Sequence, residues 1–232
     1  MRRTDQPGDV PELMRTSRER WKSVRGTLRH WEDTVLAREA TRLLVPRVPP
    51  AAEDGLPRFA VAMRRVWASK PYRWRIEFEG PEGANVFVGD LAWSEPPRSA
   101  PNAPGRPRKE QLPDALALEA MDGTVACTFD PRIVIDELFV TRVLGRAEHA
   151  GRDAVRILAV DDHGPNGLLG WGADDYELLV DAERGVLLRS AARTKGEEFQ
   201  VTEVLEMAFD EELSDDIFVA DDGFQAEPLT GT

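Results

Sequence analysis

Three histidines, one cysteine and several adjacent acid pairs are the groups in this 232-residue chain that could do chemistry. Their spacing does not gather them into a site. His30 lies in His30-Trp31-Glu32-Asp33, His149 beside Glu148, and His163 after Asp161-Asp162, and no two fall at the spacing that converging metal ligands need. Cys127 stands alone, which excludes an internal disulfide and a cysteine metal cluster. No Gly-x-Ser-x-Gly elbow surrounds a serine, and no phosphate loop ends in Gly-Lys-Ser or Gly-Lys-Thr. The run from Gly167 to Gly172 lacks the spacing of a dinucleotide fingerprint, and acids follow it that repel phosphate. Asp174-Asp175, Asp215-Asp216 and Asp221-Asp222 are neighbouring acids at turns, where solvation is the rule and acid–base work the exception. The expectation is a protein that is not an enzyme, with no catalytic residue, no metal and no cofactor.

The six tryptophans carry more information. Trp67, Trp74 and Trp93 fall among strand-like segments, and Trp171 falls in the glycine-rich loop. Two readings stand side by side. They are ordinary core, because aromatic side chains bury large area wherever a sheet is covered. Alternatively the strands line a pocket for an apolar molecule, with Trp67, Trp74, Ile76, Phe78 and Trp93 on its wall and Leu168, Leu169 and Trp171 at its lip.

The elements that would position these residues are mostly strands. Phe59, Val61, Met63 and Trp67 alternate with smaller or polar residues. Tyr72, Trp74, Ile76 and Phe78 alternate with Arg73, Arg75, Glu77 and Glu79, the cleanest period of two in the chain. Val86 to Val88, with Leu91 and Trp93, makes the next strand of a meander. Strand signals then follow at Val140–Arg146, Ala154–Val160, Tyr176–Val180, Gly185–Arg193 and Phe199–Phe209, divided by turn dipeptides. On the last of these Phe199, Val201, Leu205, Met207 and Phe209 share a face in simple alternation, with Glu203 the polar intruder. Helices are expected at Pro11–Ser23 and from Asp130 to Leu138, each with a first-turn proline. Trp21, Val24, Leu28, Trp31 and Val35 step by three and four, a helical stripe, yet Gly26-Thr27 and β-favouring neighbours suit a strand over Val24–Val35 equally well. Residues 95–113 hold six prolines and read as a loop.

Composition narrows the partners. Residues 1–116 carry 21 Lys and Arg against 16 Asp and Glu, whereas residues 117–232 carry 9 against 26. Nucleic acid is disfavoured, since phosphate neutralisation needs a basic surface; the acidic half would suit a basic protein partner. No stretch approaches the roughly 20 apolar residues of a spanning helix, and no apolar run follows Arg2-Arg3, so a cytoplasmic location is expected.

The order of segments resembles a known family. Ser23-Val24-Arg25-Gly26-Thr27-Leu28, Val66-Trp67-Ala68-Ser69-Lys70-Pro71-Tyr72-Arg73-Trp74-Arg75 and Val86-Phe87-Val88-Gly89-Asp90 with Trp93 are similar to the opening of LolA-type lipoprotein carriers. Gly145-Arg146-Ala147-Glu148, Ala150-Gly151-Arg152-Asp153-Ala154, Tyr176 to Asp181, Gly185 to Arg189 and Asp215-Asp216-Ile217-Phe218 continue it and also resemble RseB-type lipid sensors. The resemblance implies a mainly β, α+β fold: one half-open antiparallel barrel closed by a few helices and a loop, with an apolar cavity for acyl chains. It favours the strand at Val24–Val35. It also implies one domain over 23–218 that includes the proline-rich loop, between an N-terminal tail with a short helix (1–22) and a C-terminal tail (219–232). The expected occupant is an apolar or acyl small molecule held by a carrier or sensor. The alternative is a regulatory protein-interaction module whose concave side is filled by its own side chains.

Overall fold

A computed structural model describes residues 9–44, 57–70, 73–81, 83–89, 123–162 and 169–219. Its centre is one nine-stranded antiparallel sheet, β1 (Ser23–Asp33), β2 (Phe59–Ser69), β3 (Arg73–Gly80), β4 (Gly83–Gly89), β5 (Leu138–His149), β6 (Arg152–Asp161), β7 (Asp175–Asp181), β8 (Leu187–Thr194) and β9 (Glu197–Phe209). The spatial order is β4-β3-β2-β1-β9-β8-β7-β6-β5. The sheet is open, with β4 and β5 at its edges, and β1 paired to β9 joins the two meanders. This is the half-open antiparallel architecture expected from the sequence.

The ambiguous Val24–Val35 segment is strand β1, and helix begins only where it ends, at α2 (Thr34–Leu44). The switch is local chemistry. Asp33 Oδ1 accepts the N–H groups of Val35 and Leu36, at 3.0 and 3.2 Å, satisfying donors that a helix start leaves unpaired. The helix expected over Pro11–Ser23 is shorter, α1 (Asp9–Arg15), followed by a 3-10 turn at Ser17–Arg20. The helix expected from Asp130 to Leu138 is shorter, α4 (Arg132–Ile135), because β5 already begins at Leu138, and a further helix, α3 (Gly123–Phe129), precedes it and ends before Pro131.

Among the described residues, the helices α1 to α4 contribute to two adjoining clusters on one face of the sheet, the inner face. In the first, Val10, Leu13 and Met14 of α1 and Val134 and Ile135 of α4 meet strands β6 to β8. In the second, Val125, Ala126 and Phe129 of α3 share a cluster with residues of β1 to β3 and with Leu188 of β8. The outer face is a ladder of opposite charges: Arg29 to Glu203, Arg189 to Glu198, Arg156 to Glu177 and Arg193 to Asp175. Each such pair adds little stability, but together they leave this face charged and self-neutralising.

The simple alternation expected on β9 does not hold. The register with β1 shifts between Thr27 and Leu28, so Leu205 is an extra residue and stands exposed. The bulge moves Met207 and Phe209 to the inner face, opposite Gly26 and Val24, while Val201 and Glu203 share the outer face with Trp31 and Arg29.

Candidate functional site

The inner face of β1 to β3 is where the pocket wall was expected. On β3, Trp74, Ile76 and Phe78 pair with Ala68, Val66 and Arg64 of β2, which in turn face Val24, Gly26 and Leu28 of β1. These residues share one face because side chains alternate along each strand. Trp67 does not belong with them. It pairs with Arg75 and Arg25, so it points to the outer face, where Arg75 donates to the carbonyls of Ile217 and Val219. A one-residue offset in register reverses the side on which a side chain lies, and the strand pattern Val66-Trp67-Ala68 offers apolar residues on both faces.

Trp74 is 7% exposed and Ile76 1%. What covers them is the chain itself. Val125, Ala126 and Phe129 of α3, which comes closest to β8, belong to the same buried cluster as Trp74 and Ile76, and Trp21 lies in it too. The Trp21 ring meets Phe129 edge-on, with centroids 6.5 Å apart, an arrangement that aromatic quadrupoles favour. Lys70 fixes Trp21 in turn, bonding the carbonyls of Arg18 and Trp21 with its ammonium over the indole ring. Burial pushes that ammonium below the usual lysine range. Phe78 is half-buried, with the Arg64 guanidinium 5.0 Å from its ring centroid. Trp21, Arg64 and the α3 trio were not among the expected site residues. Nothing local marked Arg64, whose position follows only from strand register.

A polar row crosses the inner face between the two clusters. His30 Nδ1 lies 2.9 Å from Thr202 Oγ1, and Thr202 pairs with Ser190 on β8. Beside it, Glu32 pairs with Gln200, and burial raises its carboxyl above the usual range despite the opposing charge of Arg38.

The expected lip is divided. Leu169 is buried in the first cluster, while Trp171 is exposed. Trp93, Leu168, His163 and the proline-rich stretch lie outside the described residues. The acid pairs within the described residues make structural bonds: Asp174 accepts the Lys195 N–H, Asp175 pairs with Arg193, and Asp215 with Arg73. Among the described residues no group of three or more His, Cys, Asp or Glu is placed to hold a metal ion, and no helix is long and apolar enough to cross a membrane.

An open antiparallel sheet with short helices packed on one face is the LolA/RseB-like fold. Among solved structures, the chain is similar to MucB, with a TM-score of 0.55 and 16% identity over 93% of this chain and 63% of that one. It is also similar to MucB in the Pseudomonas aeruginosa MucA/MucB complex, with a TM-score of 0.52 and 16% identity over 93% of this chain and 61% of that one. For MucB in complex with MucA(peri) the values are 0.52, 14%, 97% and 63%. The chain therefore spans less than two thirds of the length of these MucB chains, and at such identities the likeness is one of fold. No protein-family model matches the sequence, and none of the curated proteins matches it.

Proposed function

We propose that this chain is a non-catalytic binding module that engages a protein partner through its surface, its inner face being occupied by its own side chains. The observation that carries this reading is the burial of Trp74 and Ile76 in one apolar cluster with Val125, Ala126 and Phe129. Protein interiors are close-packed, so a face buried in this way favours the protein's own side chains as its filling. The fold likeness to MucB, whose solved structures include complexes with MucA, is compatible with a protein partner.

A second reading retains the apolar or acyl ligand. One feature favours it: α3, which shares the cluster with Trp74 and Ile76, is a helix of only seven residues. Its departure would uncover a continuous apolar strip from Trp74 to Val66 and Leu28. Native mass spectrometry of the protein purified from its own host separates the two. The protein-binding reading expects the mass of the chain alone; a retained acyl lipid, seen as added mass, would favour the second.

A further inference from the structure

Beyond β9 the chain crosses the outer face as a strap, residues 210–219, fixed at one end and lightly held at the other. Asp210 takes φ +59°, a left-handed conformation that aspartate tolerates better than most residues. Its N–H donates to the Ser23 carbonyl at 2.9 Å, and its Oδ1 accepts the Lys22 N–H at 2.7 Å. The Ser23 hydroxyl donates to the Glu211 carbonyl at 2.6 Å. The strap then reaches β3 as a 3-10 turn, Asp215–Phe218. No residue of that turn is buried, the Asp215 side chain is 86% exposed, and Val219 is exposed as well.

Arginines of the sheet hold this strap. Arg25 of β1 donates to Glu211 at 2.6 Å. Arg73 of β3 pairs with Asp215 and sets its guanidinium 4.8 Å from the Phe218 ring centroid. Arg75 donates to the Ile217 and Val219 carbonyls at 3.2 and 3.3 Å. Trp67 stands between two of them, opposite Arg25 on one side and Arg75 on the other. The remaining charges of this part of the face are largely matched within the sheet. Glu77 lies 2.8 Å from Arg75 and 3.6 Å from Arg65, Glu206 near Arg25 accepts the Thr27 hydroxyl, and Glu79 is exposed farther along β3. Glu211 and Asp215 belong to the strap, so when it lifts, Arg25 and Arg73 give up the acids they bond.

We infer that the outer face around Trp67 is a docking surface for an acidic segment of a partner protein that carries an aromatic residue, and that residues 211–219 occupy it as a displaceable strap. The strap displays the chemistry the surface takes: carboxylates for Arg25 and Arg73, a ring for the Arg73 guanidinium, and main-chain carbonyls for Arg75. A partner segment with these groups makes the same bonds. The turn it displaces gives up no buried side chain, and exposed ion pairs and cation–π contacts hold a segment by little free energy. Its fixed end at Asp210 keeps the strap near, so it acts as a tethered competitor that sets the affinity for the partner. The inference rests on the protein-binding reading and gives that reading a place and a partner chemistry.

The test is a calorimetric titration of the full chain with a synthetic peptide, Asp-Asp-Ile-Phe-Val, beside a counterpart with lysine in place of each aspartate. The acidic peptide is expected to bind and the lysine peptide not. Asp215→Asn combined with Phe218→Ala loosens the strap and should strengthen acidic-peptide binding about tenfold, the worth of one exposed ion pair and one cation–π contact together. The melting curve should stay nearly unchanged, because neither residue is buried. Arg73→Ala added to that double variant should abolish the gain, whereas Arg142→Ala, at an exposed arginine on the edge strand β5, should leave it. The docking surface is overturned by equal binding of the lysine peptide, by a gain that survives Arg73→Ala, or by a loosened strap that lowers the melting midpoint sharply and binds no peptide. Each of these leaves the protein-binding reading standing, since that reading falls on a separate result, an acyl lipid retained on the purified chain.

Discussion

Asp33 shows how one side chain sets both a boundary and a pH response. It caps α2 through the N–H groups of Val35 and Leu36, and its other oxygen receives the Arg58 guanidinium at 2.9 and 3.0 Å. Burial alone would raise its carboxyl. The N–H of Leu36, the guanidinium of Arg58 and the N–H of Val35 more than offset that and hold it below the usual aspartate range. A carboxyl depressed on folding stabilises the protein fully above its unfolded pKa, about 4. That contribution disappears as pH falls through the folded value. Asp33→Ala is therefore expected to cost about 1–2 kcal/mol at neutral pH, the usual loss of a helix cap. In urea midpoints measured at successively lower pH, the gap between wild type and variant should narrow below about pH 4. A gap that is constant with pH would contradict the role of the ionised carboxylate.

At the scale of elements, α1 depends on a turn far from it in sequence. Gly185, between β7 and β8, has φ +75°, and a Cβ there would sit 2.2 Å from the Leu13 carbonyl oxygen. Gly196, in the next turn, has φ +82° but nothing within 4 Å. Gly196→Ala should thus cost only backbone strain, about 1–2 kcal/mol. Gly185→Ala should cost more, because α1 must also lift, and amide exchange across Val10 to Met14 should accelerate in that variant alone. Equal losses in the two variants would show that α1 does not rest on this turn.

The same elements mark how far the sequence could be read. Strands β2 and β3 were legible because alternation is a local signal and both faces are differently covered. The strand at Ser23–Asp33 needed the family resemblance, since Val24, Leu28 and Trp31 fit a helical stripe as well as a strand. α2 and α3 were not foreseen: the cap at Asp33 acts only once β1 has ended there, and Gly123-Thr124-Val125-Ala126-Cys127-Thr128-Phe129 has a β-favouring composition that its packing overrides. Of the expected wall, Trp74, Ile76 and Phe78 fall together because they lie on one strand, whereas Trp67 required the register between strands to be placed. The exposure of Trp171 and Leu205 was beyond local reading too, since it depends on two packed glycines, Gly170 and Gly172, and on a bulge.

For the molecule as a whole, the open sheet and its helices form an interior that runs from α1 to β3, with charge ladders outside. Whether the inner face is closed by the protein or held open for a ligand decides between the two readings of its function. Trp74→Ala tests this most directly, with urea unfolding and titration of a fluorescent fatty-acyl probe performed on wild type and variant. A tryptophan buried in one cluster with Val125, Ala126 and Phe129 leaves a cavity when it is removed, so the variant should lose about 3–5 kcal/mol, and neither protein should bind the probe saturably. A wild type that binds the probe, together with a Trp74→Ala variant that loses this binding while keeping its stability, would contradict a filled inner face and make Trp74 the wall of a ligand cavity.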